Sequence, residues 1–113
     1  MTNELPAAIS RYFDADRVRD ADTVVSCFTE DAAVSDEGQT WRGHDGIRAW
    51  RKGPAAKYQY TIDVLDATAV EASPAGERHD VRIHMEGDFP GGEVDLTFQF
   101  AVRDGLISTL DIV

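Results

Sequence analysis

The first part of the chain places apolar residues at the spacing of amphipathic helices. The first predicted helix covers residues 4–19, and its apolar side is formed by Leu5, Ala8, Ile9, Tyr12 and Phe13. A second helix is predicted to begin at Asp20 or Asp22, either of which can cap it by accepting a backbone N–H. The apolar side of this second helix consists of Val24, Val25 and Phe28.

The segment after the second helix predicts a short strand and a small hairpin. Residues 29–31 end the helix, and residues 32–34 form the short strand. Residues 37–39, which are Glu-Gly-Gln, indicate a turn from which Thr40 and Trp41 can pair back.

A third helix is predicted from Gly43 to Lys52, with Trp50 on its apolar face. Its last turn carries Arg51 next to Lys52, and positive charge suits the negative end of a helix dipole. The Gly-Pro pair at residues 53–54 then stops the helix.

From Tyr58 onward the hydrophobic period changes to two, which is typical of strands that are buried on one face. Four strands are predicted within 58–64, 81–89, 94–102 and 106–113, and the turns between them contain SPAG, PGG and DG. Helices followed by antiparallel strands indicate the α+β class. A curved, mostly antiparallel sheet wrapped around three N-terminal helices encloses a cone-shaped hollow, and such hollows are typical small-molecule sites. The opposite, polar face carries Thr61, Asp63, Arg82, His84, Glu86, Asp95, Thr97 and Thr109.

Length, charge and cysteine content narrow the functional classes. The 113 residues correspond to one domain, residues 1–113. The net charge of −10, from 21 acidic and 11 basic residues, argues against nucleic acids and anionic membranes as partners. The single Cys27 excludes an intramolecular disulfide. We find no signal peptide and no membrane-spanning stretch, so we expect a cytoplasmic protein.

Four sequence segments resemble one known family. They are RYFDADRVRDADTVVSCFTEDAAV, WRGHDGIRAW, GDFPGGEVDLTFQF and RDGLISTLDI. From about Leu5 to Val113 the chain resembles the SnoaL-like branch of the nuclear transport factor 2-like superfamily, which implies a cystatin-like α+β barrel. Ketosteroid isomerases, polyketide cyclases, dehydratases and non-catalytic binding modules share this fold, so the resemblance constrains the activity weakly.

The ketosteroid isomerases in this superfamily allow a comparison residue by residue. The resemblance places their helix-one tyrosine on Tyr12 and their base aspartate on Asp36. Their third residue, a protonated aspartic acid, falls near Phe98, which cannot donate a hydrogen bond. The loss of one oxyanion donor typically costs about 10²–10³ in rate.

Each candidate residue also has a structural interpretation. Asp36 is either a base at the rim of a pocket or an ordinary turn former that caps its own loop. Tyr12 either donates its hydroxyl to a ligand oxygen or packs in the core. Large aromatic residues are expected around the hollow, partly as core and partly as ligand-binding residues: Trp41, Trp50, Tyr58, Tyr60 and Phe98.

Other polar residues are expected to have structural roles. The acidic run Asp14, Asp16, Asp20 and Asp22 is interpreted as a solvated face, because it lacks the ligand pattern of a calcium loop. The three histidines lack a short ligand spacing, so neither zinc nor another cofactor is predicted. His44, at the start of the third helix, is expected to be exposed.

Three functional hypotheses follow. The chain is a cofactor-independent isomerase, cyclase or dehydratase with Asp36 as base, a non-catalytic module that binds a small apolar molecule, or a dimeric scaffold. Relatives commonly dimerise through the polar sheet face, which implies a homodimer contact at Arg82, His84 and Glu86.

Overall fold

Three helices pack against a six-stranded sheet in the computed structural model, which describes residues 5–113. The elements are α1 (Ala7–Arg17), α2 (Ala21–Ser26), β1 (Phe28–Asp36), β2 (Gln39–Arg42), α3 (Gly43–Lys52), a 3-10 turn (Pro54–Ala56), β3 (Tyr60–Ser73), β4 (Gly76–Gly87), β5 (Glu93–Arg103) and β6 (Leu106–Ile112). The α+β class predicted from the sequence is confirmed. Residue 4, the predicted start of the first helix, lies outside the described residues.

The helix boundaries follow local capping signals. Pro6 precedes α1, where its missing N–H costs nothing. Asp20 caps α2 as predicted, since its carboxylate accepts the Thr23 backbone N–H at 3.1 Å and the Thr23 hydroxyl at 2.6 Å. Basic Arg51 and Lys52 end α3.

The prediction that the second helix extends to residues 29–31 is wrong. The helix ends at Ser26, and β1 begins at Phe28 rather than at residue 32. Phe28 pairs in parallel with Ile107 of β6, and the Ile107 N–H donates to the Cys27 carbonyl at 2.8 Å. This pairing with the far end of the chain outweighs the local helical pattern.

The sheet has the strand order β2-β1-β6-β5-β4-β3. The β1–β6 pair is parallel and the other pairs are antiparallel. β3 runs to Ser73, well beyond the predicted end at residue 64, with a register shift after Val64. The polar face is continuous across three strands, because His84 lies opposite both Asp63 and Asp95.

An aromatic cluster fills the space between α1 and the sheet. The Tyr12 ring lies edge-on to four phenylalanine rings at centroid distances of 5.3 to 6.3 Å: Phe13, Phe28, Phe98 and Phe100. All five rings are buried. This packing fixes the direction in which the Tyr12 hydroxyl points, so the core also orients the site described below.

We expect Phe100→Ala to lower the free energy of unfolding by about 3–5 kcal/mol, because it leaves a cavity among these rings. Urea denaturation followed by circular dichroism measures the change. Phe89→Ala is the matched control, since Phe89 is only half-buried and its ring contacts Tyr58 near the surface. Equal losses in the two variants would contradict this account of the core.

Candidate functional site

A cavity of about 680 Å³ lies between the helices and the concave side of the sheet. Its walls are mainly apolar, and its polar groups come from Tyr12, Asp36 and Arg51 together with residues nearer the surface. The apolar and aromatic wall includes Trp50, Tyr58, Met85, Phe89, Leu96 and Phe98. An apolar pocket with a few converging polar groups is the usual form of a small-molecule site.

Asp36 lines this cavity because it is the last residue of β1. A two-residue hairpin turn follows it, with positive φ at Glu37 (52°) and Gly38 (78°), and Asp36 pairs with Gln39. The Trp50 indole N–H donates to Asp36 Oδ2 at 3.1 Å. The half-buried carboxylate is therefore held by a side chain of α3 at the edge of the cavity.

Tyr12 lines the same cavity from α1. Its side chain is 1% exposed, and burial raises the pKa of its hydroxyl well above the usual value of 10.0. The positive charge of Arg51 opposes this shift, while Asp16 adds to it. The Tyr12 hydroxyl therefore keeps its proton at neutral pH and remains a hydrogen-bond donor.

A buried charged cluster adjoins Tyr12. Arg51 Nη2 lies 2.7 Å from Asp16 Oδ1, and both side chains are almost fully buried. The Tyr60 hydroxyl donates to the same Asp16 oxygen at 2.8 Å. Burial works against the charge of Arg51, but Tyr12, Tyr60 and Asp16 outweigh it, so the Arg51 pKa rises above its ordinary value.

The structure brings most, but not all, of the predicted site residues to one cavity. Tyr12, Asp36, Trp50, Tyr58 and Phe98 surround one cavity. Trp41 is not among the residues that line it, so the cavity does not support the predicted contribution of Trp41 to the ligand site. Trp41 lies in β2, is partly buried and packs against the hydrophobic core.

Sequence reasoning missed the Arg51–Asp16 pair. Asp16 was interpreted as part of a solvated acidic run, but it is 5% exposed and paired. One signal was available, because Tyr12 and Asp16 are four residues apart and so share one face of α1. The partner of Asp16 lies on another helix, which no local pattern reveals.

His44 is half-buried rather than exposed, and its Nε2 lies 2.9 Å from the Phe28 carbonyl oxygen. Among residues 5–113, no group of three His, Cys, Asp or Glu side chains is placed to hold a metal ion. Within the same described range, no helix is long and apolar enough to cross a membrane.

The buried tyrosines predict an unusual alkaline titration. Burial, reinforced by Asp16, raises the pKa of Tyr60 to about 12. The unfolded chain releases this proton near pH 10, so the free energy of unfolding falls between about pH 10 and pH 12. A Tyr58→Phe variant leaves Tyr12 and Tyr60 as the two tyrosines of the chain. We expect its tyrosinate absorbance to appear well above pH 10 when folded.

The control is the same Tyr58→Phe protein in guanidinium chloride, which should titrate near the usual tyrosine pKa. If the folded variant titrates at the same pH as the denatured one, the described burial of these hydroxyls is wrong.

Comparison with solved structures finds the same fold in proteins with several named activities. A provisionally named polyketide cyclase from Sinorhizobium meliloti is 34% identical, with a TM-score of 0.87 over 96% of this chain and 95% of its own. A Δ5-3-ketosteroid isomerase from Mycobacterium sp. is 19% identical, with a TM-score of 0.74 over 95% of this chain and 89% of its own.

The orange carotenoid protein of Anabaena, solved with canthaxanthin, is 15% identical, with a TM-score of 0.83 over 99% of this chain and 36% of its own. Comparison with curated proteins gives no match. The model of the SnoaL-like domain family matches residues 9–110, which is nearly the whole chain. The chain therefore belongs to the SnoaL-like domain family.

Proposed function

We propose that this protein is a cofactor-independent enzyme that transfers a proton on a small, largely apolar carbonyl compound. The reaction class is isomerisation, cyclisation or dehydration. One observation carries the proposal: Asp36 and Tyr12 line the same mainly apolar cavity.

The two groups suit complementary tasks. Asp36 supplies a carboxylate, and a positioned carboxylate can take a proton from a carbon next to a carbonyl. Tyr12 keeps its proton and can donate a hydrogen bond to the carbonyl oxygen, where negative charge develops. The indole of Trp50 holds Asp36 in place without taking its proton-accepting oxygen Oδ1.

The relatives support this reaction class. The Sinorhizobium meliloti protein is provisionally named a polyketide cyclase, and the Mycobacterium protein is named a ketosteroid isomerase. The first relative is 34% identical over almost the full length of both chains, and the two share the fold.

The direct test follows exchange of solvent deuterium into 2-tetralone, a small apolar ketone with acidic C–H groups. We expect the wild-type protein to accelerate this exchange, as measured by proton NMR. Asp36→Asn should lower the enzymatic rate by about 10²–10⁴, because that is the usual contribution of a positioned general base.

The matched control is Glu37→Gln, which removes the neighbouring carboxylate at the exposed rim. We expect this variant to keep the wild-type exchange rate. Equal losses in the two variants, or an Asp36→Asn protein as active as the wild type, would contradict the role of Asp36 as the base.

A second candidate is a binding module that performs no chemistry. The apolar wall of the cavity favours it, and so does a neighbour of the same fold that was solved with canthaxanthin. Under this alternative, 2-naphthol should raise the melting temperature equally in wild-type and Asp36→Asn protein. Deuterium exchange into ketones by the wild type would rule it out as the whole function.

We also propose that the chain forms a homodimer through the polar sheet face around Arg82, His84 and Glu86. Charged groups are closely spaced there: His84 Nδ1 lies 2.5 Å from Asp95 Oδ1, and Arg82 Nη1 lies 2.6 Å from Asp66 Oδ2. The hydrogen bond with Asp95 raises the pKa of His84. Such a face can pair with its own copy across a two-fold axis.

The dimer predicts a mass of twice the 12.4 kDa chain in light scattering at micromolar concentration. Arg82→Glu should convert it to monomer, because it adds negative charge to a face that already carries Glu86 and Asp95. Arg17→Glu is the control, since Arg17 is an exposed residue of α1. A monomeric wild-type protein would reject the proposal.

A further inference from the structure

We propose that the buried cluster of Arg51, Asp16 and Tyr60 makes the cavity selective for ligands whose oxygen carries negative charge, such as an enolate or a phenolate. Arg51 supplies the positive charge that attracts this oxygen, beside the Tyr12 hydroxyl. The inference rests on the proposed function, because it defines the charge state in which the same cavity holds the substrate oxygen.

Three separate elements hold Arg51 in this position. Tyr12 and Asp16 lie four residues apart on one face of α1. Arg51, at the end of α3, reaches Asp16 at 2.7 Å, and Tyr60 at the start of β3 reaches it at 2.8 Å. Because Asp16 is one turn from Tyr12, its partner Arg51 is brought alongside Tyr12 in the cavity wall.

The hydrogen-bonding capacity of Arg51 is not used up within the protein. A guanidinium carries five N–H donors, and Asp16 accepts from Nη2. The Nε group is buried and has no hydrogen-bond partner among the described residues. A buried cation that keeps spare donors and forms part of a cavity wall favours a negatively charged or strongly polar ligand atom.

The charges around the cavity fit a reaction that moves negative charge rather than creating it. Asp16 balances Arg51, whereas Asp36 has the Trp50 indole N–H but no paired cation among the described residues. When Asp36 takes a proton, the C–H electron pair forms the C=C bond of an enolate and the carbonyl π pair moves to oxygen. The negative charge thus passes from Asp36 to the oxygen beside Tyr12 and Arg51, with no other reactant.

The other titratable groups of the cavity do not provide this positive charge. Glu37 and Glu93 are exposed acids at its surface, and the phenol side chains of Tyr58 and Tyr60 carry no positive charge in either protonation state. Arg51 is the cation among the described residues that line the cavity. Arg51 can therefore stabilise the substrate oxyanion in place of the hydrogen-bond donor that is absent at Phe98.

The test uses 4-nitrophenol, whose visible absorbance appears only in the phenolate form. It is added to the Asp36→Asn protein, because a neutral amide at this position reproduces the charge of the cavity after proton transfer. We expect the probe to bind as phenolate and its pKa to be lower when bound than in water. Isothermal titration and absorbance spectra across pH measure both quantities.

In the same background, Arg51→Met should weaken phenolate binding roughly 10- to 100-fold, the usual range for a hydrogen bond to a charged group. The bound probe should then be the neutral phenol. Arg51→Lys should restore part of the phenolate signal, because it keeps the charge. Arg48→Met is the matched control: it removes one cation from the same helix, where Arg48 pairs with Asp22 away from the cavity.

Because Arg51→Met leaves Asp16 buried without its cation, that variant is paired with the double variant Asp16→Asn/Arg51→Met, which removes both charges. The double variant should fold and still lose phenolate selectivity. The inference is overturned if phenolate binding survives in the folded double variant, if Arg48→Met weakens it equally, or if the folded Asp36→Asn protein binds no phenolate.

These outcomes can be distinguished from the outcomes that test the proposed function. Deuterium exchange by the wild-type protein tests Asp36 as a base, whereas the phenolate experiment is done in its absence. Exchange without phenolate selectivity would retain the enzyme and remove the role of Arg51. Phenolate selectivity without exchange would retain the anion site in a binding protein.

Discussion

The buried ion pair between Arg51 and Asp16 is the interaction on which the site depends. It joins the end of α3 to α1 at a depth where both side chains are almost inaccessible to water. Burying two charges at this depth costs desolvation energy, whereas burying apolar residues in their place would not. Removing one partner of such a buried pair typically lowers the free energy of unfolding by about 3–5 kcal/mol. The pair is therefore poor evidence for stability alone, and the chemical role proposed for it follows from the position of Arg51 in the cavity wall together with Tyr12.

The Asp36 carboxylate, which lines the cavity, has a different environment from that of Asp16. Asp16 is enclosed by Arg51 and the Tyr60 hydroxyl, while Asp36 is half-buried at a hairpin and has a single indole donor. In the proposed reaction these surroundings give the two acids different tasks: Asp16 orients the cation Arg51, and Asp36 exchanges a proton. The aromatic cluster around Tyr12 keeps the phenol donor between them.

Short sequence motifs correctly predicted those features of the fold that depend on interactions between neighbouring residues. The cap at Asp20, the hairpin turn after Asp36 and the end of α3 before Gly53 all depend on neighbouring residues. The start of β1 at Phe28 could not be predicted in this way, because a parallel pairing with Ile107 determines it.

The same distinction applies to the cavity. The resemblance led to Tyr12 and Asp36, and the period-two pattern led to Phe98. From the sequence, Arg51 was interpreted as a helix end and Asp16 as a solvated acid. Their pairing was missed because it is a contact between two separate helices. Trp41 was expected at the hollow because of its bulk, but it lies in β2 and is not among the residues that line the cavity.

The most direct measurement is a crystal structure of the protein with 2-naphthol bound. The account predicts the ligand oxygen at about 2.6–3.0 Å from the Tyr12 hydroxyl and on the Arg51 side of the cavity, with Asp36 facing the ring. An oxygen that points to the surface near Glu93, or an Asp36 carboxylate turned away from the cavity into solvent, would contradict it.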